Sequence, residues 1–230
     1  MKSLTINQNG TAVLLAFTSG YVDTLTFVAL FGLFSAHITG NFVLIASSIV
    51  EFRLGLWMKL LAVPVFVMAA VGTRMFIIRR ERHSREAAAH VLLAQAGLLC
   101  LFMLVGTQCA PFTNHNSPSA ILTGLLAVAA MAVQNTAART FFSDMPPTTV
   151  MTGNLIQVIV DIVDIAHAHT GVEAKRARLA RLAPMLLAFI IGTLGGALAY
   201  VWVGYWAVAV PIVVVSAASL TVRPMIKSPV

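Results

Sequence analysis

Several stretches of about 20 residues contain almost no charged side chain. Residues 90–109 and 182–203, for example, contain no Asp, Glu, Lys or Arg. A helix of this length spans the hydrocarbon core of a bilayer, which is about 30 Å thick. Of all residues 59% are hydrophobic and 10% are charged, whereas a soluble domain has about 25% charged residues. We therefore expect an integral membrane protein. Its spanning elements should be helices, because backbone polar groups in lipid must pair with one another.

The charge and the cysteines exclude several other classes of protein. A formal net charge of +7 would suit a nucleic-acid partner in a soluble protein, but basic residues in a membrane protein collect in cytoplasmic loops. We therefore expect no nucleic-acid partner. Cys100 and Cys109 form neither a disulfide framework nor a metal-binding pattern. We expect no cofactor and no metal ion.

A polar triplet occurs twice, each time at the start of a short apolar run. The two copies are Thr39-Gly40-Asn41 and Thr152-Gly153-Asn154. Asp23 lies 16 residues before the first copy, and Asn135 lies 17 residues before the second. Ordered matches at similar spacing indicate a duplication. We predict one integral membrane domain with a first repeat in residues 1–110 and a second in residues 111–230.

The apolar pattern divides the chain into eight segments, and two of them are too short to span a bilayer. Residues 38–50 would form a helix about 20 Å long, and the segment at 149–166 has only about a dozen residues before Asp161. The segments are 12–34, 38–50, 57–78, 90–109, 119–142, 149–166, 182–203 and 206–221.

The basic residues favour a topology in which these two short segments do not cross. If all eight segments span and the N-terminus is inside, nine Lys and Arg residues lie inside and five lie outside. If the short segments return to the side from which they enter, twelve lie inside and only Arg53 and Lys59 lie outside. Both counts leave out Arg74, which lies within a segment. The positive-inside rule prefers the second arrangement. We predict an all-α bundle of two inverted three-span repeats, each with a short re-entrant or half-length helix. The alternative is eight full spans arranged as 4+4.

Two half-helices that meet inside the membrane would place polar groups there. Half-helix N-termini carry partial positive charge and free N–H groups, which can hold an anion or a polar neutral solute. The ordinary reading is that Thr and Asn cap the helices and that Gln joins neighbouring helices. An intramembrane Asp is a functional candidate, or else it pairs with Arg74 or another basic residue. The predicted pathway residues are Asp23, Thr39, Gly40, Asn41, Gln134, Asn135, Thr152, Gly153, Asn154 and Gln157.

Three further patterns have ordinary structural readings that we prefer. His37, next to the first triplet, reads as an interfacial helix-end residue rather than a proton relay. His167 and His169 read as part of a polar loop rather than a metal site. Gly192 and Gly196 have the spacing of close helix packing.

Four stretches resemble a known family. GYVDTLTF, HITGN, VQNTAART and PTTVMTGNLIQ are similar to the YoaK-like bacterial membrane proteins, a domain of unknown function. The resemblance covers nearly the whole chain and implies a bacterial inner-membrane protein with about six spans. It implies no activity, so no catalytic residue is transferred.

The pattern as a whole predicts a transporter or channel for a small polar solute, with its pathway at the repeat interface. The first alternative is a non-transporting structural or regulatory protein. A membrane-embedded enzyme is disfavoured, because the HExxH, GxSxG and phosphate-binding motifs are absent. We expect the lipid bilayer and an unidentified solute as partners and leave a homo-oligomer open. The expected location is the inner membrane, multi-pass, with both termini cytoplasmic.

Overall fold

The computed structural model describes residues 2–51, 55–82, 87–143, 145–149, 151–167 and 170–222. This part of the chain is helical and contains no strand. A short 3₁₀ helix, Gly204–Val208, joins the last two α-helices. The α-helices are α1 Lys2–Ala29, α2 Ile38–Glu51, α3 Leu56–Arg82, α4 Ala88–Cys109, α5 Pro118–Phe141, α6 Met151–Ala166, α7 Val172–Val203 and α8 Ala209–Thr221.

Five helical stretches of the described residues are long and apolar enough to cross a membrane. The last of them contains 50 residues and includes both α7 and α8. The apolar part of α2 is shorter, at Ile38–Val50. The stretches are Asn9–Ala29, Leu56–Glu81, Ala88–Cys109, Pro118–Phe141 and Val172–Thr221. An all-helical bundle with membrane-spanning helices is thus confirmed.

Two helices have an end that differs from the bound of the apolar segment in the sequence, and local backbone chemistry explains both differences. Helix α1 stops at Ala29 although the apolar run continues to residue 34, because Phe31 and Gly32 adopt left-handed φ angles of 52° and 76°. Left-handed backbone cannot continue a right-handed helix. Helix α7 begins at Val172, ten residues before the apolar run at 182, because Ala, Arg, Lys, Glu and Leu are strong helix formers.

Helices α1 and α7 form a closely packed pair that runs in parallel. A Cβ atom at Gly192 would overlap the carbonyl oxygen of Phe17, and one at Gly196 would overlap that of Tyr21. A Cβ at Gly20 would in turn overlap the backbone of α7. Residue numbers rise together along both helices, which gives the direction. The close packing expected from the Gly192 and Gly196 spacing is confirmed.

Helix α8 runs antiparallel to α1. The hydroxyl oxygens of Thr11 and Thr221, near the start of α1 and at the end of α8, are 3.0 Å apart. Tyr21, further along α1, donates its hydroxyl to the carbonyl of Ala207 just before α8, at 3.0 Å. Because α7 is parallel to α1, α7 and α8 are antiparallel neighbours joined by the 3₁₀ turn.

Helix α4 is antiparallel to both α8 and α5. Gly106, near the end of α4, packs against the ring of Tyr205 at the approach to α8, and α8 then packs along α4. Gln95, near the start of α4, donates to the side-chain carbonyl of Gln134 near the end of α5, at 2.7 Å. Helix α4 therefore points in the same direction as α1, and α5 points in the opposite direction.

Helix α3 runs parallel to α5. Met58, near the start of α3, lies 2.8 Å from a Cβ built on Gly124 near the start of α5. Ile77, near the end of α3, belongs to the same apolar cluster as Ala137 near the end of α5. Helices α1, α4 and α7 thus point one way, and α3, α5 and α8 point the other way.

The short helices α2 and α6 each lie between two neighbours of opposite direction. Helix α2 connects α1 to α3 and packs along α3. Helix α6 connects α5 to α7 and packs along α7. The other six helices alternate in direction along the chain, so neither α2 nor α6 changes the order of directions. These six helices are α1, α3, α4, α5, α7 and α8.

Candidate functional site at two helix breaks

The first break is the non-helical stretch at residues 30–37, between α1 and α2. Half of its residues are buried and the others are partly exposed, and buried backbone groups need hydrogen-bond partners. Asn41 in α2 supplies two partners: its Oδ1 accepts from the Phe34 N–H at 3.0 Å, and its Nδ2 donates to the Phe34 carbonyl at 2.7 Å. Lys59 donates its Nζ to the Phe31 carbonyl at 2.9 Å. Asn41 therefore braces the break instead of capping its own helix.

Asp23 in α1 contacts the end of the same break and is only 4% exposed. Its Oδ1 accepts from the Ala36 N–H at 2.7 Å and lies 3.4 Å from the Ser35 hydroxyl. Its Oδ2 lies 2.6 Å from Nδ1 of His37. The basic partner of Asp23 is thus His37, while Arg74 is exposed on α3. The preferred reading of His37 as an interfacial helix-end residue missed this pairing.

The second break lies between α5 and α6 and is described at residues 142–143 and 145–149. Asn154 in α6 donates its Nδ2 to the carbonyl of Pro147 at 2.9 Å. Thr149 donates its hydroxyl to Oδ1 of Asn135 in α5. An amide in the short helix and a polar side chain in the preceding long helix hold this break as well.

The hydrogen bonds of the two breaks have the same spacing along the chain. Asn41 and Asn154 each bond to the backbone of the residue seven positions earlier. Asp23 and Asn135 each bond to the side chain of the residue 14 positions later. The sequence match that suggested a duplication therefore corresponds to matching contacts.

The first break approaches the second at His37. Phe189 of α7, which contacts the His37 ring, packs on the same apolar cluster as Met145 of the second break. The ring lies edge-on to Phe34 and Phe189, with centroid separations of 6.2 Å and 5.9 Å. Its side chain is 30% exposed. A partly exposed imidazole thus lies between a buried carboxylate and a ring of α7 that packs near the second break.

The remaining triplet residues are placed differently from the asparagines. Thr39, Thr152 and Gly153 are exposed. Gly40 is close-packed, because a Cβ there would lie 2.8 Å from the Phe34 ring. Within each triplet, Asn is directed into the bundle and Thr away from it.

Two predicted pathway residues bond elsewhere. Gln134 is fully buried, donates to the Leu15 carbonyl at 2.8 Å and accepts from Gln95 of α4. It faces away from Asn135 because adjacent residues of a helix point about 100° apart. Gln157 donates to Asp161 at 3.0 Å, further along α6. Gln134 thus joins helices, and Gln157 contributes to the attachment of α6.

Ion pairs that the sequence analysis did not predict hold the far end of α6 to α7. Asp161 is fully buried and accepts two hydrogen bonds from the Arg178 guanidinium, one from Nε at 2.8 Å. Lys175 lies 2.8 Å from Asp164 one turn further along. These pairs lie away from the break. Within the described residues there is no group of three or more His, Cys, Asp or Glu side chains that could hold a metal ion; His169 lies outside them.

Sequence reasoning missed the partnership of His37 and the burial of Lys59. The spacing carried a signal for the first: His37 follows Asp23 by 14 residues, as Thr149 follows Asn135. No comparable signal marked Lys59, whose Nζ reaches a carbonyl 28 residues earlier in the chain.

The fold and the two braced breaks define a polytopic helical membrane protein, and comparison with known proteins agrees. Residues 11–221 match the family described as "Protein of unknown function (DUF1275)", and the chain belongs to that family. It is 28% identical over 156 residues to the UPF0700 transmembrane protein YoaK of Bacillus subtilis (strain 168), which covers 67% of each chain. No solved structure matches. The YoaK-like resemblance is thus confirmed, and the chain is a member of a transmembrane family of unknown function.

Proposed function

We propose that the protein carries a small polar solute across the membrane along a path between the two helix breaks. One observation carries the proposal: buried Asp23 and partly exposed His37 form a carboxylate–imidazole pair at the first break. The His37 ring contacts Phe189, which packs on the same apolar cluster as Met145 of the second break. Ionisable residues inside a membrane are costly and mark solute, ion or proton pathways. Non-helical backbone at membrane depth is tolerated where it is buried in protein or lines a polar cavity.

The backbone of the first break does not need a charged pair to satisfy its hydrogen bonds. In the second break, Asn135 occupies the position of Asp23 and holds Thr149 with a neutral hydrogen bond. A neutral amide at this position is therefore compatible with a braced break. A buried carboxylate has a desolvation cost that a neutral amide avoids. We assign the extra charge of Asp23 and His37 to function, and the bonds of Asn41 and Asn154 to structure.

The same path requires an inverted arrangement of the two halves. We propose six crossings by α1, α3, α4, α5, α7 and α8, with α2 and α6 as half-length helices that enter from opposite faces. The alternating helix directions support this, as do the basic residues. Residues 79–82 at the end of α3 and residues 175–181 near the start of α7 lie on the side where α1 begins. By the positive-inside rule that side is cytoplasmic, and both termini lie there, in a bacterial inner membrane.

Flux through reconstituted protein tests the proposed transport. Purified protein is placed in liposomes, and the uptake of small neutral, anionic and cationic solutes is compared with that of empty liposomes. We expect uptake of at least one solute class, and its loss in Asp23→Asn and His37→Gln. Thr113→Ala, in the exposed loop between α4 and α5, is the matched control and should retain uptake. A folded protein that moves none of the solutes would favour the structural or regulatory alternative.

Cysteine labelling tests the topology separately. Cys100 and Cys109 are replaced, and single cysteines are introduced at Glu81, Thr113 and Thr170, which are exposed. An impermeant maleimide is then applied to intact cells. Six crossings place positions 81 and 170 on one side and position 113 on the other. If 113 and 170 share a side and 81 is opposite, eight segments cross and the half-helix proposal is wrong.

A further inference from the structure

The second break lacks a hydrogen-bond donor that the first break has. In the first break, Oδ1 of Asn41 accepts from the Phe34 N–H, and Nδ2 donates to the Phe34 carbonyl. The residue seven positions before Asn154 is Pro147, and proline has no backbone N–H. Nδ2 of Asn154 therefore donates to the Pro147 carbonyl at 2.9 Å, while no described residue donates to its Oδ1. One atom of this amide holds the backbone, and the other is left as an acceptor.

A hydroxyl of the second break also lacks the partners that its counterpart has. Ser35 and Thr148 occupy the same position in the two breaks, six residues before the asparagine of the triplet. Ser35 is fully buried, and its Oγ lies 3.1 Å from the Thr26 hydroxyl and 3.4 Å from Asp23 Oδ1. Thr148 is 1% exposed, and its hydroxyl has no hydrogen-bond partner within the described ranges.

The sequence explains why the Thr148 hydroxyl has no partner. Thr26, three residues after Asp23, has Ala138 as its counterpart in α5, and alanine has no hydroxyl. Asn135, the counterpart of Asp23, uses its Oδ1 on the Thr149 hydroxyl and its Nδ2 on a carbonyl of its own helix. Buried polar groups without a partner cost free energy. A molecule that paired with both unpaired groups would therefore be stabilised at the second break.

The two unpaired groups flank one peptide bond. The Asn154 amide holds the carbonyl of Pro147, which is bonded directly to the nitrogen of Thr148. Asn154 is 6% exposed, so both side chains are more than nine-tenths buried. Thr152 and Gly153, in the same turn of α6, are exposed, and a Cβ built on Gly153 has nothing within 4 Å. An exposed surface therefore lies within one turn of the two groups.

The surroundings of the second break favour a neutral ligand. Its described hydrogen bonds are made by neutral amides, hydroxyls and carbonyls, and a buried ion needs a partner of opposite charge. The charged groups of neighbouring elements are bonded elsewhere or exposed. Asp161 bonds to Arg178 two turns along α6, Asp23 bonds to His37, and Arg139 in the last turn of α5 is exposed.

We propose that the second break binds a small neutral organic molecule through Oδ1 of Asn154 and the hydroxyl of Thr148. The ligand donates an N–H or O–H to Oδ1, because an amide oxygen only accepts. The Thr148 hydroxyl can donate to the ligand or accept from it. Amides and alcohols of a few heavy atoms have this chemistry, and water shares it. The use of this site as a step in solute movement rests on the proposed function, whereas the binding itself does not.

Four planar molecules of similar size serve as probes: acetamide, acetone, acetate and acetamidinium. Protein with ¹⁵N-labelled asparagine is titrated with each in micelles at neutral pH, and the Asn154 side-chain signal is assigned by its absence in Asn154→Gln. We expect a saturable shift with acetamide and none with acetone, which has no donor, or with the two ions. The Asn41 amide, with both atoms bonded to Phe34, should not respond. No response to acetamide, the result for a site that takes water only, or an equal response to acetone or acetate would overturn the proposal.

Two variants alter the site and leave its asparagine in place. Pro147→Ala supplies the missing N–H, as Phe34 does in the first break. Oδ1 is then paired within the protein, and acetamide should bind about two- to tenfold more weakly. Thr148→Val keeps the shape of the side chain but removes the unpaired hydroxyl. It should weaken acetamide binding by a similar factor without lowering the unfolding temperature. Unchanged acetamide binding in both variants would overturn the proposed site.

Two control variants and the liposome assay complete the test. Ser35→Ala removes a hydroxyl that has partners and should lower the unfolding temperature, unlike Thr148→Val. Thr123→Val, near the start of α5, removes a hydroxyl bonded to its own helix and should leave acetamide binding unchanged. Acetamide binding without flux of any solute would refute transport and leave the site standing. Flux without acetamide binding would refute the site and leave transport standing.

Discussion

The two helix breaks have the same bracing pattern but different charge. In the first break Asp23 bonds to His37, and in the second Asn135 bonds to Thr149 at the same spacing. The first half places its ionic pair at the start of the short helix. The second half places its ionic pairs, Asp161–Arg178 among them, near the far end of α6.

This difference separates the requirements of the backbone from those of function. Both breaks need amide groups to satisfy buried backbone, and Asn41 and Asn154 supply them in both halves. A charge at the junction is needed in neither half for that purpose. Its presence in the first break alone supports the role proposed for Asp23 and His37.

The largest expected effect is a difference in unfolding free energy between the variants that remove the Asn41 amide and the Asn154 amide. Asn41→Ala leaves the N–H and the carbonyl of Phe34 without their partner, whereas Asn154→Ala leaves only the Pro147 carbonyl. Each orphaned group costs about 1–3 kcal/mol, so the loss of unfolding free energy should be about twice as large for Asn41→Ala. Thermal unfolding in micelles, followed by tryptophan fluorescence, measures the difference. Equal losses in the two variants would show that the breaks do not differ in this way.

Exchanging the charges tests the asymmetry directly. Asn135→Asp adds a carboxylate beside Thr149 while the imidazole of His37 is already paired with Asp23, and an intramembrane charge costs about 2.5–3.5 kcal/mol. Asp23→Asn keeps an acceptor for the Ala36 N–H and should cost only about 1 kcal/mol, the difference between a charged and a neutral hydrogen bond. Urea unfolding of both single variants measures the two costs. A larger loss for Asp23→Asn would mean that the first break needs its charge in order to fold.

Gly72 and Gly192 each follow a proline of their own helix, Pro64 or Pro184, by eight residues, and they test whether the long helices share the asymmetry. Gly192 in α7 lies against the backbone of α1, whereas Gly72 in α3 has nothing within 4 Å of a Cβ. Gly192→Ala should cost about 1–3 kcal/mol through overpacking. Gly72→Ala should be neutral or stabilise by a few tenths of a kcal/mol up to about 1 kcal/mol, because Ala favours a helix. Melting temperatures in micelles compare the two, and similar changes in both would contradict the close α1–α7 contact.

The smallest effect is expected at the neutral bond of the second break. Thr149→Val keeps the shape of the side chain but removes its hydroxyl donor to Asn135. The loss should be about 0.5–1.5 kcal/mol. Urea unfolding of the variant measures this loss. A loss as large as that of Asn41→Ala would contradict the expected order of the effects.

Much of the fold could be predicted from patterns that act locally or through the solvent. The eight apolar segments correspond to the eight described helices, because apolar length and helix propensity are properties of a short stretch. That Asp23, Asn41 and Asn154 have hydrogen-bond partners could be predicted, because a polar residue in an apolar run must find one. That Gln134 and Gln157 line a pathway stays a prediction. Their hydrogen bonds, to Leu15 and Asp161, lie away from the two breaks.

The sequence by itself determined that lipid is the solvent of this chain, that its backbone is helical and that the chain breaks before each Thr-Gly-Asn triplet. These follow from apolar content and from residues that are close in the chain. Only the tertiary structure decided that Asp23 pairs with His37 rather than Arg74, that the His37 ring meets Phe189 of α7, and that Gly192 is close-packed while Gly72 is open. Such choices depend on which helices become neighbours and in which direction, since long-range contacts form between groups that no local pattern relates.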